Sequence, residues 1–123
     1  MNKEEAKLLR NKCDKNTIWE KIVIAVDLWC DCIDTTIIKP EQVARFRELL
    51  IGFLMVEHDK GYEIKLYPEM ILGDCIHYTL LRNALDLSGI GIRHMNRRIK
   101  RMTIYPSGTL KIEYRERRKA EWI

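Results

Sequence analysis

The sequence feature that most constrains the fold is the turn signature Tyr105-Pro106-Ser107-Gly108 near the C-terminus. Proline presets the first turn dihedral, serine tolerates the second, and glycine adopts the positive φ of a three-residue hairpin loop with a bulge. The flanking segments 99–105 and 109–116 are strand-like, and apolar residues alternate with charged ones in the second segment. The signature therefore predicts an antiparallel β-hairpin with one face toward a core.

Because an isolated hairpin is marginal in water, this one needs further elements to pack against. Residues 62–67 alternate with period two and predict a third strand. Apolar residues at helical spacing predict helices at 18–33, 40–58 and 68–87. The sequence predicts an α+β fold with three main helices packed on a small three-stranded antiparallel sheet.

The predicted helix at 18–33 is apolar on most sides, which is typical of a helix buried between other elements. Thr17 and Glu20 have the spacing of a capping box and predict its start. Gly61 and Gly89 predict the ends of the second and third helices, because glycine readily adopts the left-handed conformation there.

Length and composition are typical of one globular domain over residues 1–123, of which 46% are hydrophobic and 33% charged. Residues 1–16 predict a short, frayed helix. The N-terminus has no apolar signal-peptide core, and the longest apolar run, residues 49–56, is far too short to span a membrane. Four cysteines without a secretion signal favour free thiols in a reducing cytosol, so we expect a cytoplasmic protein without membrane contact.

Positive charge is concentrated in the C-terminal hairpin and tail. Residues 93–123 carry 10 Lys or Arg and 3 Asp or Glu, a net charge of +7, whereas residues 1–92 carry 12 and 15, a net charge of −3. Such asymmetry indicates an acidic partner, either nucleic acid, an acidic protein surface, or the acidic helices of the same chain. The candidate binding residues are Arg93, Arg97, Arg98, Lys100, Arg101, Lys111, Arg115, Arg117 and Arg118, with Tyr105 and Tyr114 as candidates for stacking on unpaired bases.

Residues 91–114 include the stretch Ile99-Lys100-Arg101-Met102-Thr103-Ile104-Tyr105-Pro106-Ser107-Gly108-Thr109-Leu110-Lys111-Ile112-Glu113-Tyr114. This stretch resembles the far C-terminal hairpin of the large serine recombinases of phages and mobile elements. The resemblance covers about a fifth of the chain and carries over no catalytic residue. It implies a mobile-element origin and a segment adapted to work near DNA.

Two further groups of residues resemble metal sites, but their predicted geometry does not favour metal binding. The pairs Cys30-x-Cys32 and Cys75-x-His77 together match a Cys₃His zinc set, but residues two apart point to different sides of an intact helix. The acidic stripe Glu20, Asp27, Asp31 and Asp34 lacks carboxylates from a second element and fits a solvent-exposed face.

The sequence contains no glycine-rich phosphate loop and no Ser or Cys nucleophile that is flanked by glycines and has a histidine nearby. No motif therefore indicates an enzyme of known mechanism. We therefore expect a non-enzymatic accessory protein without a cofactor, which binds DNA or RNA through its basic C-terminal hairpin. The alternative hypothesis is an inhibitor or adaptor that docks on a host nucleic-acid-processing complex. A third hypothesis is a homo-oligomer, because the helix at 18–33 is very apolar for the surface of a monomer.

Overall fold

The computed structural model describes residues 15–68, 78–116 and 118–123. In these ranges the chain forms three α-helices, α1 Lys15–Cys30, α2 Pro40–Asp59 and α3 Tyr78–Leu87, and four strands, β1 Ile64–Leu66, β2 Ile99–Ile104, β3 Leu110–Tyr114 and β4 Glu121–Trp122. The predicted α+β class is confirmed. Residues 1–14 of the predicted N-terminal helix and residues 69–77 of the predicted third helix lie outside the described residues.

The strands form one antiparallel sheet in the order β1-β2-β3-β4. The three predicted strands pair as expected, and β4 adds a fourth that was not predicted. Because β4 has only two residues, it is too short for a period-two pattern to reveal it. Within β3, Leu110 and Ile112 are fully buried, whereas Lys111 and Glu113 remain partly exposed, so the predicted alternation is confirmed there.

The predicted turn closes the β2–β3 hairpin. The Tyr105 N–H donates to the Thr109 carbonyl at 3.0 Å, and the Gly108 N–H donates to the Tyr105 carbonyl at 2.8 Å. Gly108 has a φ of 88°, in the left-handed region that favours glycine. A histidine holds this turn against α2, because His58, only 2% exposed, donates from Nε2 to the Pro106 carbonyl at 3.0 Å.

We expect Gly108→Val to lower the free energy of unfolding by about 1–2 kcal/mol, because a β-branched residue is strained at positive φ. Thermal or denaturant unfolding measures the change. Gly52, an exposed helical glycine with no atom near its absent side chain, provides the matched control as Gly52→Ala, which is expected to be neutral or stabilising. An unchanged stability for Gly108→Val would contradict the hairpin assignment.

The first helix differs from its predicted bounds at both ends. Helix α1 includes Lys15, so Thr17 lies inside the helix and the predicted capping box does not start it. At the other end α1 stops at Cys30 instead of residue 33. The reason is tertiary, because Ile33 forms a β-bridge with Met95 and draws the chain out of the helical path.

The core lies between the helices and one face of the sheet. Its fully buried side chains come from the three helices, from the chain after α3, and from β1, β2 and β3. The largest are Trp29, Phe46, Ile22, Leu50, Leu54, Ile64, Leu66, Leu81, Leu85, Ile90, Ile99 and Met102. The hairpin therefore has one face committed to the core, and its charged residues lie on the other face and at its ends.

Candidate nucleic-acid interface

The cations predicted from the sequence do not form one continuous surface. Three of them, Arg98, Arg115 and Arg118, lie at the end of the hairpin opposite the turn, and we call them the open-end cluster. The others occupy the outer face of the sheet or nearby loops, and Arg117 lies outside the described residues.

Tyr114 is the centre of the open-end cluster. The Arg118 guanidinium carbon lies 3.5 Å from the centroid of the Tyr114 ring, a cation–π contact. The Arg115 N–H donates to the Arg98 carbonyl at 2.9 Å, which makes these two residues neighbours across the hairpin. All three arginines are exposed. Although the three arginines are 3 to 20 positions apart in the sequence, they all lie at the solvent-exposed open end of the hairpin.

The Tyr114 phenol has an acidic neighbour as well as basic ones. Burial and the Glu121 carboxylate, which accepts a hydrogen bond from the Tyr114 hydroxyl at 3.2 Å, raise the pKa of the phenol, and the positive charges of Arg118 and Arg98 partly oppose that rise. Arg98 also contacts the Cys32 thiol at the end of α1, where its charge opposes the increase in thiol pKa that burial causes. Arg98 therefore lies beside both Tyr114 and Cys32.

Lys100 occupies an irregularity in the sheet next to this cluster. Ile99 pairs with Tyr114 and Arg101 pairs with Glu113, so Lys100 is the extra residue of a β-bulge. Its side chain is exposed. The bulge also shifts the alternation along β2, which simple period-two counting does not anticipate.

Arg101 is neutralised within the hairpin. Its Nη2 donates to Glu113 Oε1 at 2.7 Å, and its Nε donates to Glu113 Oε2, forming a two-pronged ion pair between β2 and β3. The hydrogen bonds from Arg101 hold the pKa of Glu113 below its ordinary value, and those to Glu113 raise the pKa of Arg101. This arginine stabilises the strand pair and offers little net charge to a partner.

Arg97 and Arg93 lie outside the open-end cluster. The Arg97 Nη1 donates to the Pro68 carbonyl at 3.2 Å and connects β2 to the chain after β1. Arg93 donates from Nε to His94 Nε2 at 3.2 Å and lines a cleft of about 390 Å³ that also contains Asp34.

The outer face of the sheet carries an aromatic pair. Tyr105 stacks with Trp122, with ring centroids 6.1 Å apart and planes inclined by 13°. The Lys111 ammonium lies 5.3 Å from the Trp122 ring centroid. Tyr105 and Lys111 are candidates from the sequence, whereas Trp122 is not, because no strand is predicted at residues 121–122. The pairing of Lys111 with Trp122 across β3 and β4 brings the three side chains together.

The acidic stripe of α1 is exposed, and Asp27 pairs with Arg47 of α2 at 2.8 Å. Asp34 lies beyond the end of α1 and accepts hydrogen bonds from the Thr36 hydroxyl and N–H, which lower the pKa of its carboxyl. Both contacts are structural, and neither carboxylate meets the basic hairpin through them.

Of the zinc set, Cys30 and Cys32 are described, and Cys75 and His77 lie outside the described residues. Burial is the main factor that raises the pKa of Cys30, to about 12, and it also raises the pKa of Cys32. Because α1 ends at Cys30, Cys32 lies outside the helix and the predicted geometric objection, an intact helix through both residues, does not apply to this pair. Metal binding requires the thiolate, and burial disfavours the thiolate at both residues. Within residues 15–68, 78–116 and 118–123, no group of three His, Cys, Asp or Glu side chains is placed to hold a metal ion.

We expect purified protein to contain far less than one zinc ion per chain and to keep its melting temperature after treatment with a chelator. Metal analysis and a melting curve with and without chelator measure both quantities. Stoichiometric zinc, together with unfolding on chelation, would contradict the assignment of Cys30 and Cys32 as core thiols.

The chain matches no family model, no curated protein and no solved structure at a significant level. Among the helices that the structure describes, none is both long enough and apolar enough to cross a membrane.

Proposed function

We propose that this protein is a non-enzymatic accessory protein that binds DNA or RNA, and that the open-end cluster is its phosphate-contacting surface. The observation that carries the proposal is the position of three exposed arginines at the open end of the hairpin. Arg98 and Arg118 lie beside Tyr114, and Arg115 is joined to Arg98 through its backbone N–H. One carboxylate, that of Glu121, also lies there and accepts a hydrogen bond from the Tyr114 hydroxyl at 3.2 Å, so cations outnumber carboxylates at this end of the hairpin.

Arginine suits this task because its planar guanidinium donates two parallel hydrogen bonds to a phosphate. Each phosphate that a cation neutralises releases counterions, and this term dominates affinity that does not depend on base sequence. The stacking of Arg118 on Tyr114 reduces the number of conformations that the side chain must give up on binding. The cluster therefore fits sequence-independent binding to a nucleic-acid backbone.

The resemblance of residues 91–114 to the recombinase hairpin supports the same function and a phage or mobile-element origin. Lys100 lies next to the cluster and is exposed, so we include it in the proposed contact surface. Arg101 is assigned to the Arg101–Glu113 pair and to hairpin stability.

Exposed apolar side chains on α1 favour the second candidate function, an inhibitor or adaptor that docks on another protein. On α1, the side chains of Trp19 and Ile24 are 50% and 39% exposed, and half-buried Val23 lies between them in sequence. Large exposed apolar side chains are typical anchors of protein interfaces, including those between copies of one chain. Such an interface would depend only weakly on salt, unlike phosphate binding.

The experiment that tests the proposal is titration of a labelled oligonucleotide of random sequence with the whole protein at about 50 mM salt, where phosphate attraction is strong. We expect binding that weakens steeply as salt increases. Absence of binding to both DNA and RNA under this condition would contradict the proposed function and favour protein docking through α1.

A further inference from the structure

The register of the sheet places one row of side chains on the face opposite the core. Lys65 pairs with Thr103, Thr103 with Lys111, and Lys111 with Trp122, so these four residues cross all four strands. Directly paired residues share a face, and the neighbouring pair Ile64 and Ile104 is fully buried on the core side. The row of Lys65, Thr103, Lys111 and Trp122, together with Tyr105, is here called the outer platform.

Two aromatic rings of the outer platform are nearly parallel. Tyr105 and Trp122 have an interplanar angle of 13°, and Trp122 is 51% exposed although it belongs to an edge strand of two residues. Burial in the core does not account for this placement, because the core cluster lies on the other face. A large aromatic side chain that packs against one neighbouring ring and remains half-exposed is suited to stack against a planar ligand.

We propose that Tyr105 and Trp122 stack on unpaired bases, so that the ligand of this protein is a single-stranded nucleic acid. The inference rests on the proposed function, because it takes nucleic acid as the ligand, but it assigns a separate surface with a separate role. Base stacking on aromatic side chains tolerates any sequence, since every base has a π-face. In a duplex these faces are already occupied by neighbouring bases, so the platform distinguishes single strands from duplexes.

One cation of the platform is placed to meet this ligand. Lys111 lies next to the Trp122 ring, at 5.3 Å from its centroid, where an ammonium group can meet the phosphate attached to a stacked base. Lys65 stands in the same row, two strands away from Lys111, and its ammonium group is paired with the Glu63 carboxylate at 3.5 Å. Thr103, at the centre of the row, is only 3% exposed, so the accessible part of the platform is the side that holds Lys111, Trp122 and Tyr105. Combined aromatic and basic side chains on a sheet face are an arrangement by which proteins hold single strands.

The test compares an unstructured thymidine strand of about 15 nucleotides with a duplex of the same length. Trp122→Leu keeps an apolar strand residue but removes the π-face, and Trp122→Phe restores a smaller ring. Trp19→Leu is the matched control, because Trp19 is equally exposed, at 50%, but lies on α1. Melting curves of all three variants verify that the fold and β4 remain intact.

We expect Trp122→Leu to weaken single-strand binding by about tenfold or more. Duplex binding should change little, Trp122→Phe should recover part of the loss, and Trp19→Leu should match the wild type. If Trp122→Leu binds both ligands as the wild type does, the outer platform is not a stacking surface, while the open-end cluster stands. If the wild type binds neither ligand at about 50 mM salt, the proposed function itself fails.

Discussion

Replacing Arg98, Arg115 and Arg118 together by glutamine is expected to lower the affinity for an oligonucleotide by about 10²–10³-fold at roughly 0.1 M salt. This magnitude follows from counterion release. The binding constant varies with a negative power of the salt concentration, and losing three phosphate contacts makes that exponent smaller by about 2–3. Titration with labelled oligonucleotide measures the loss. The fold should persist, since exposed charges contribute little to stability.

The matched control replaces Lys39, Arg45 and Arg47 by glutamine. These three exposed cations lie just before α2 and in its first turns, and Arg47 is paired with Asp27, so the variant loses the same formal charge at another place. If affinity depended only on the overall charge, the two triple variants would lose affinity equally. We expect the control to retain most of the wild-type affinity, and an equal loss would contradict a localised site.

The largest expected effect on stability is that of Trp29→Ala, a loss of about 3–5 kcal/mol in the free energy of unfolding. Trp29 is fully buried in the core cluster, and its truncation leaves a large cavity beneath the hairpin and helices. Denaturant unfolding measures this loss. A loss below about 1 kcal/mol would contradict the buried position of the indole.

Comparison with Trp29→Phe separates the effect of lost side-chain volume on stability from the effect of the buried indole N–H. In the part of the chain that the structure describes, the Trp29 indole N–H has no hydrogen-bond partner although it is buried. Phenylalanine retains much of the ring and removes this polar group, which is costly to bury unpaired. We therefore expect a clearly smaller loss than for alanine.

The sequence predicted the elements whose local pattern is strong. The turn at 105–108 needs glycine at one position, and Gly108 adopts the required positive φ. Helix α2 begins at Pro40 and ends before Gly61, as proline and glycine indicated. Such features depend on the backbone conformations of single residues, which sequence shows directly.

Features that depend on tertiary pairing could not be predicted. Helix α1 ends early because Ile33 pairs with Met95, which is 62 positions away in sequence. The bulge at Lys100 and the short strand β4 likewise arise from pairing with β3. Local periodicity contains no information on such distant partners.

In the candidate site, too, local sequence predicted some features and tertiary pairing determined the others. Counting charges identified a basic segment, but charge counts do not reveal which cations have partners. The Arg101–Glu113 ion pair removes one of the candidates, whereas Tyr114 gathers Arg98 and Arg118. Trp122, half-exposed next to Lys111, was missed because its role depends on the pairing of β3 with β4.

The measurement that tests the central claim most directly is the salt dependence of binding for the wild type and the open-end cluster variant. The logarithm of the binding constant is plotted against the logarithm of the salt concentration for one oligonucleotide. We predict a steep negative slope for the wild type and a slope shallower by about 2–3 for the variant lacking Arg98, Arg115 and Arg118. Equal slopes for the two proteins would contradict phosphate binding by the open-end cluster.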